Sequence, residues 1–136
     1  MAAHMGEKRI LIVEDERVVA DTLGQILAAN GYDIRIAYSA EDAATIATQW
    51  APQLAVVDVM LPKMNGIELA LLFKKDVSAC HVLLFSGQPS VETLIQKARS
   101  EGHEFKILAK PVHPTVMLKA ISTLLCPESS ASFRAN

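Results

Sequence analysis

Short apolar runs alternate along the chain with longer stretches of helical periodicity. Five runs have the length of strands: residues 10–13, 32–37, 54–57, 81–85 and 105–109. The run at 54–57 is apolar at every position, which is typical of a strand buried on both faces of a sheet. Residues 32–37 instead alternate apolar and polar side chains, which favours a half-exposed strand at a sheet edge.

Between these runs, apolar residues recur at the three- and four-residue intervals of amphipathic helices. The predicted helices are residues 17–30, 40–50, 67–75, 91–98 and 114–124. Two helix ends carry their own signals, because Asn30-Gly31 suits a helix stop and Ser39 suits an N-cap. The strict alternation predicts an α/β fold of the (βα)5 type, a doubly wound five-stranded parallel sheet with helices on both faces.

The composition of the 136 residues limits the class of protein. Apolar residues make up 51% of the chain, enough for a sizeable core in one domain. The formal net charge is −2 and no run of five basic residues occurs, so we expect no nucleic-acid or membrane partner. No stretch has the length of a membrane span or the pattern of a secretory signal. Cys80 and Cys126 lack metal or redox spacing, which favours a reduced, cytoplasmic protein.

The chain divides into three expected segments. Residues 1–7 have the pattern of a leader added for expression, and we exclude them from the fold. Residues 8–126 carry the whole (βα)5 pattern and form the expected domain. Residues 127–136 are rich in Ser and Ala, and we expect them to form a flexible tail.

Polar side chains stand directly after four of the predicted strands. Glu14 and Asp15 follow the first strand, Asp58 the third, Ser86 the fourth and Lys110 the fifth. Taken alone, Asp58 would suit a turn or a helix cap equally well. In open parallel sheets, however, the carboxyl ends of the strands share one edge, where ligands bind. If these strands are neighbours, three carboxylates, a hydroxyl and an ammonium converge on one pocket.

Such a group of side chains indicates phosphoryl chemistry. Clustered carboxylates repel one another unless a cation relieves them, and a few oxygen ligands backed by water suit Mg²⁺. One carboxylate is then placed to act as a nucleophile and form an acyl phosphate. Lys110 would neutralise one phosphoryl oxygen as a point charge, and Ser86 would donate a hydrogen bond to another.

These residues resemble the receiver domain of two-component response regulators, the CheY-like domain. The resemblance rests on the acid pair after the first strand, a D-x-x-[ML]-P-x-[ML]-x-G loop from Asp58 to Gly66, the hydroxyl after the fourth strand, and Lys110-Pro111 after the fifth. Each piece is weak alone, but all four in this order are highly specific. The resemblance implies a flavodoxin-like fold with strand order 2-1-3-4-5 and makes residues 8–126 the receiver domain.

The resemblance also implies a role for each residue of the pocket. Asp58 matches the phosphoacceptor, Lys110 the phosphate-binding lysine, and Ser86 the switch hydroxyl that moves toward the phosphoryl group. The cofactor implied is Mg²⁺. Its implied ligands are Glu14, which usually acts through water, Asp15, Asp58 and the backbone carbonyl of Met60.

One position departs from the pattern of the family. Receivers commonly have Tyr or Phe three residues before the lysine, as a rotamer switch, whereas this chain has Ile107. An aliphatic side chain cannot swing a ring between buried and exposed states. Phe105 lies on the same strand face by period-2 alternation and is the ring available to replace it.

The resemblance implies a receiver that signals rather than an enzyme. The short tail after Leu125 favours a stand-alone receiver, and a receiver excised from a larger kinase or transcription factor stays open. It would accept a phosphoryl group on Asp58 from a histidine kinase or a histidine phosphotransfer protein, and catalyse only its own phosphotransfer and slow dephosphorylation. Its output would be a downstream protein bound by the face of the fourth predicted helix, fifth strand and fifth predicted helix. We expect a monomer or a weak, phosphorylation-dependent dimer.

Two other functions stay open at this point. The first is a pseudo-receiver that binds its partner without phosphorylation, which the complete set of site residues disfavours. The second is a Mg²⁺-dependent phosphohydrolase with an Asp nucleophile. Such phosphatases commonly carry a second Asp two residues after the nucleophile as general acid, and here that residue is Met60.

Overall fold

The computed structural model describes residues 8–62, 65–76, 80–87, 96, 99, 105–110 and 112–125. The strands are β1 (Arg9–Val13), β2 (Asp33–Ala37), β3 (Leu54–Asp58), β4 (His81–Ser86) and β5 (Lys106–Ala109). The helices within the described residues are α1 (Arg17–Ala29), α2 (Ala40–Trp50), α3 (Gly66–Asp76) and α4 (Pro114–Leu125). Because the labels cover only the described helices, α4 corresponds to the fifth helix predicted from the sequence. The predicted helix at 91–98 lies outside the described residues except for Gln96, which is helical.

All described strands pair in parallel in one sheet of order β2-β1-β3-β4-β5. This confirms the predicted fold class and strand order, with β2 at an edge as its alternating pattern indicated. The register aligns Val13 with Val57, Asp58 with Phe85, and Ser86 with Ala109. The carboxyl ends of β1, β3, β4 and β5 therefore lie side by side.

The sheet separates two hydrophobic layers, because successive strand residues point to opposite faces. In β1, Leu11 faces the layer covered by α2 and α3, while Ile12 faces the layer covered by α1 and α4. Both side chains are completely buried. Each layer contains one fully buried phenylalanine, Phe73 in the α2–α3 layer and Phe85 in the α1–α4 layer. The central strands are thus apolar along residues 10–13, 54–57 and 82–85, because both of their faces are covered.

The ends of two helices form as their sequence signals predict. Gly31 takes a left-handed φ of 93° after α1, a conformation that glycine adopts without steric cost. The Ser39 hydroxyl accepts a hydrogen bond of 3.1 Å from the Asp42 amide at the start of α2. None of the helices in the described part of the chain has the length and apolar character needed to cross a membrane. Residues 1–7 and 126–136 lie outside the described residues, so the leader and the flexible tail stay predictions.

Candidate functional site

The ammonium of Lys110 bridges two carboxylates at the carboxyl edge of the sheet. Its Nζ lies 3.1 Å from Oε1 of Glu14 and 3.2 Å from Oδ2 of Asp58. Glu14 is completely buried, Asp58 is 3% exposed, and the Lys110 side chain is one-quarter exposed. Because three different strands supply these groups, the contact depends on the strand order of the sheet.

The second oxygen of each bridged carboxylate accepts a backbone hydrogen bond from two residues further on. Oε2 of Glu14 accepts from the Glu16 amide at 3.0 Å, and Oδ1 of Asp58 accepts from the Met60 amide at 3.0 Å. Both carboxylates are therefore held at both oxygens, by the lysine on one side and by their own loop on the other. This arrangement fixes the direction in which Asp58 presents its oxygens.

A third carboxylate completes an acidic cluster that suits a metal ion. Glu14, Asp15 and Asp58 each place one carboxylate oxygen within 4.8 Å of the others, and Asp15 is exposed. Two of them, Asp15 and Asp58, line a cleft of about 310 Å³, together with Glu16, Met60, Gly87 and Lys110. Carboxylate oxygens beside a water-accessible cleft fit Mg²⁺, which keeps several waters when it binds protein.

The electrostatics of the cluster follow from its burial. The pKa of Glu14 is raised to about 7 as the net result of opposing causes. Burial raises it most, the hydrogen bond from the Glu16 amide lowers it, the nearby Asp58 charge raises it, and the contacts with Lys110 lower it. Burial by itself lowers the pKa of Lys110, but the hydrogen bonds and charges of Glu14 and Asp58 outweigh it, so the net shift is upward. Lys110 is therefore cationic at neutral pH.

Ser86 ends β4 and is buried beside this cluster. Its carbonyl oxygen accepts a hydrogen bond of 2.9 Å from the Lys110 amide, which ties the two residues together. The residue is 5% exposed and is not among those that line the cleft. Five of the six predicted site residues thus belong to the acidic cluster or its cleft, namely Glu14, Asp15, Asp58, Met60 and Lys110. Ser86 lies at the adjacent strand end.

The residue at the position of the family's aromatic switch and the ring that could replace it both lie in the α2–α3 layer. Ile107 and Phe105 are both partly buried and pack against that layer, which confirms that they share a face. Neither lines the cleft at the carboxyl edge. That Phe105 takes over the role of a ring at position 107 stays a prediction.

Sequence reasoning missed two contacts at this edge of the sheet. The Phe85 ring lies below Lys110, with Nζ at 4.8 Å from the ring centroid. Asn65 and Glu68 exchange hydrogen bonds at the start of α3, since each side chain accepts from the other's amide at 2.9 and 3.3 Å. The spacing Asn-x-x-Glu is a capping-box signal that the sequence does contain. The contact with Phe85 has no local signal, because it joins two strands.

Comparison with known proteins agrees with this fold. Residues 10–122 match the family described as the response regulator receiver domain. Response regulator MprA of Mycobacterium bovis (strain BCG / Pasteur 1173P2) is 27% identical over 130 residues, which are 93% of this chain and 56% of that protein. The chain thus spans little more than half the length of such relatives.

Solved receiver structures superpose closely on this chain. The CheY-like receiver domain protein from Methanospirillum hungatei JF-1 gives a TM-score of 0.83 at 28% identity, covering 93% of this chain and 99% of that one. The signal receiver domain of an HD domain-containing protein from Pseudomonas fluorescens Pf-5 also gives 0.83, at 27% identity and 91% and 98% coverage.

The fold and the acidic edge define a receiver domain of two-component signal transduction. This chain belongs to the response regulator receiver family. That family generally signals rather than catalyses, generally has histidine kinases as partners, and typically binds Mg²⁺ at its acidic pocket.

Proposed function

We propose that this chain accepts a phosphoryl group on Asp58 from the phosphohistidine of a histidine kinase or a histidine phosphotransfer protein, in a Mg²⁺-dependent reaction. Signalling then proceeds through protein–protein contacts. The observation that carries the proposal is the Lys110 ammonium held between Glu14 and Asp58 beside a third carboxylate, at the carboxyl edge of the sheet.

Asp58 is the nucleophile in this proposal. One of its carboxylate oxygens attacks the phosphorus of the phosphohistidine, so that an oxygen–phosphorus bond forms as the nitrogen–phosphorus bond breaks and histidine leaves. The Met60 amide, at 3.0 Å from Oδ1, orients the carboxylate for this attack. Lys110, at 3.2 Å from Oδ2, is placed to move from the carboxylate to an oxygen of the new phosphoryl group.

The acidic cluster supplies the metal ligands of the proposal. Glu14, Asp15, Asp58 and the backbone carbonyl of Met60 would hold Mg²⁺, and the exposed Asp15 and half-exposed Met60 line the cleft through which it would enter. When bound, Mg²⁺ neutralises the carboxylates and polarises the phosphoryl group. Lys110 keeps the charge of Glu14 and Asp58 partly balanced before the ion arrives.

The proposed switch is the Ser86 hydroxyl, which would bond the phosphoryl group and draw the following loop toward the site. Ser86 is buried next to Lys110, and its carbonyl oxygen accepts a hydrogen bond from the Lys110 amide. A movement of one residue is therefore expected to displace the other. Because residue 107 is Ile and not aromatic, we propose that the movement that begins at Ser86 is passed on without a rotating ring at position 107.

The proposed output surface includes β5 and α4. A groove of about 290 Å³ lies between them, and Val116 on its wall is half exposed. We propose that a downstream protein binds this face together with the predicted helix at residues 91–98, and that the chain is a monomer or a weak dimer when phosphorylated. Nucleic acid and membrane are not among the proposed partners, and the proposed location is the cytoplasm.

Mass spectrometry of the intact protein and its peptides tests the proposal after incubation with a small-molecule phosphodonor. We expect a phosphoryl adduct on Asp58 that requires Mg²⁺ and is absent from Asp58→Asn, which keeps the size of the side chain. The matched variant Asp15→Asn keeps the nucleophile and is expected to need more Mg²⁺ for the same yield.

Three results would contradict the proposal. One is an adduct that persists in Asp58→Asn, and another is an adduct of equal yield without Mg²⁺. The third is the absence of any adduct in a protein that binds Mg²⁺, which would favour the pseudo-receiver instead. Release of phosphate from small phosphate esters at many turnovers per Asp58 would favour the phosphohydrolase.

A further inference from the structure

The ammonium of Lys110 has a third partner besides its two carboxylates. Nζ lies over the ring of Phe85, 4.8 Å from the centroid, and this ring is 2% exposed. A cation above the face of an aromatic ring is attracted by the ring quadrupole, most strongly where water is excluded. We propose that Phe85 is a positioning residue for Lys110, and this inference rests on the proposed function of Lys110 in phosphoryl transfer.

Backbone contacts fix the position of Phe85 relative to Asp58 and Lys110. Phe85 pairs with Asp58 in the sheet, and its carbonyl oxygen accepts a hydrogen bond of 3.0 Å from the Val59 amide. The next residue, Ser86, accepts from the Lys110 amide at 2.9 Å. The backbone at residues 85 and 86 is thus bonded on one side to the loop that follows Asp58 and on the other to Lys110, which sets where the Phe85 ring leaves the strand.

The contact with the ring differs in kind from the two ion pairs. A lysine side chain has four flexible bonds, so an ammonium needs several partners to stay in one place. Glu14 and Asp58 are shared with the proposed metal ion, and Asp58 changes when it is phosphorylated. The face of Phe85 is not altered by either event. The ring therefore keeps Lys110 above the site when the carboxylates of Glu14 and Asp58 are drawn toward the metal, or when Asp58 becomes an acyl phosphate.

The other surroundings of the ring show that its place is not dictated by tight packing alone. Phe85 and Lys110 both line a cavity of about 490 Å³ between α1 and α4, together with Leu23 and Met117. The cavity leaves room for a slightly larger ring. It also means that a smaller side chain at position 85 would leave Lys110 without support on that side.

The direct test is the NMR signal of the protons on Cε of Lys110 in the unphosphorylated protein. A ring below the ammonium shifts these protons upfield. We expect the shift in the wild type and in Phe85→Tyr, which retains a ring, and we expect its loss in Phe85→Leu. The control Phe73→Leu removes the other fully buried phenylalanine, on the far side of the sheet, and should leave the Lys110 signal unchanged.

The functional readout is the rate of Asp58 phosphorylation by a small-molecule phosphodonor at saturating Mg²⁺. We expect Phe85→Leu to be about three- to tenfold slower, the range that a cation–π contact of ordinary strength supplies. Phe85→Tyr should restore the rate, and Phe73→Leu should retain it. If Phe85→Leu does not fold, a ring-fluorinated phenylalanine at position 85 keeps the shape but weakens the negative ring face, and it should slow the reaction in the same range.

Each outcome decides one of the two proposals. An unshifted Lys110 signal in the wild type, or an equal slowing in Phe73→Leu and Phe85→Leu, would overturn the role of Phe85. A wild type that shows the ring shift but forms no adduct on Asp58 would overturn the proposed function and leave the contact in place. A fluorinated protein that reacts at the wild-type rate would show that Phe85 only fills space.

Discussion

Gly66 lies against the backbone of Asp58, and this approach makes the loop after β3 depend on glycine. The Gly66 amide donates a hydrogen bond of 2.7 Å to the carbonyl oxygen of Val59. A Cβ at Gly66 would overlap the carbonyl oxygen of Asp58 and lie 2.8 Å from Cα of Val59. The atoms in the way are backbone atoms of β3 and its loop, so they cannot rotate aside as a side chain would.

We therefore expect Gly66→Ala to lower the free energy of unfolding by about 2 kcal/mol or more, since the clash must be relieved by moving the Asp58 loop. Gly87→Ala is the matched control at the same edge. Its Cβ would meet Lys110 only at 3.6 Å, an ordinary contact, and we expect nearly unchanged stability. Urea denaturation measures the free energy of unfolding of both variants. Equal values would contradict the prediction, because they would show that the Asp58 loop shifts at little energetic cost.

The site residues were predictable one by one because each directly follows an apolar run. Glu14, Asp58 and Lys110 stand out in the sequence as charges at the ends of strands. The bridging geometry was not predictable, because it depends on which strands are neighbours. The contact between Phe85 and Lys110 was not predictable for the same reason. In the sequence, Phe85 is one apolar residue among several in a buried strand.

At the scale of elements, α3 begins with a reciprocal cap that also ends the Asp58 loop. Asn65 Oδ1 accepts from the Glu68 amide at 2.9 Å, and Glu68 Oε1 accepts from the Asn65 amide at 3.3 Å. A helix start leaves amides without partners in the helix, and such a pair satisfies two of them. The cap fixes the point at which the chain turns from the loop into the helix.

Asn65→Ala should lower the free energy of unfolding by about 1 kcal/mol, the usual cost of losing a helix cap. Ser39→Ala removes the corresponding cap of α2 and should cost a similar amount. Because Asn65 ends the Asp58 loop, and its neighbour Gly66 bonds to Val59, we expect Asn65→Ala but not Ser39→Ala to change the amide NMR signals of Val59 and Met60. Chemical denaturation and amide spectra of both variants check this, and a change at those amides in Ser39→Ala would contradict the assignment.

The sequence pattern was more informative about the elements than about their arrangement. Continuous apolar runs identified the central strands, and the alternation in β2 identified an edge strand. Both patterns were readable because a strand buried on both faces is apolar throughout, whereas a strand buried on one face alternates apolar and polar residues. The order of the strands was not contained in that pattern. It came from the resemblance to receivers, whose motif residues only make sense if β1, β3, β4 and β5 are neighbours.

For the whole molecule, the fold concentrates negative charge at one edge of the sheet. The chain as a whole carries a formal charge of only −2, but three carboxylates there each place an oxygen within 4.8 Å of the others. Within the described part of the chain, the ammonium of Lys110 contacts two of them. Folding forces these like charges together, and in the unfolded chain they are far apart. A divalent cation at the cluster should therefore stabilise the folded state as a whole.

We expect Mg²⁺ to raise the melting temperature of the protein. A ligand that binds only the folded state, at ten times its dissociation constant, adds about 1.4 kcal/mol, which is roughly 3–6 °C for a domain of this size. Calorimetric scans with and without Mg²⁺ measure the shift. Asp15→Asn should lose most of it, because Asp15 contributes one of the clustered oxygens.

Asp33→Asn separates a specific site from a general effect of charge. Asp33 is exposed at the first position of β2, at the opposite end of the strands, and its replacement removes the same charge as Asp15→Asn. If Mg²⁺ acts at the cluster, Asp33→Asn keeps the full wild-type shift. If it only screens the net charge of the protein, both variants lose the shift equally, and a monovalent salt at the same ionic strength reproduces it in the wild type. The second pattern would remove the metal from the proposed reaction and leave Lys110, among the residues that the structure describes, as the cation that contacts Asp58.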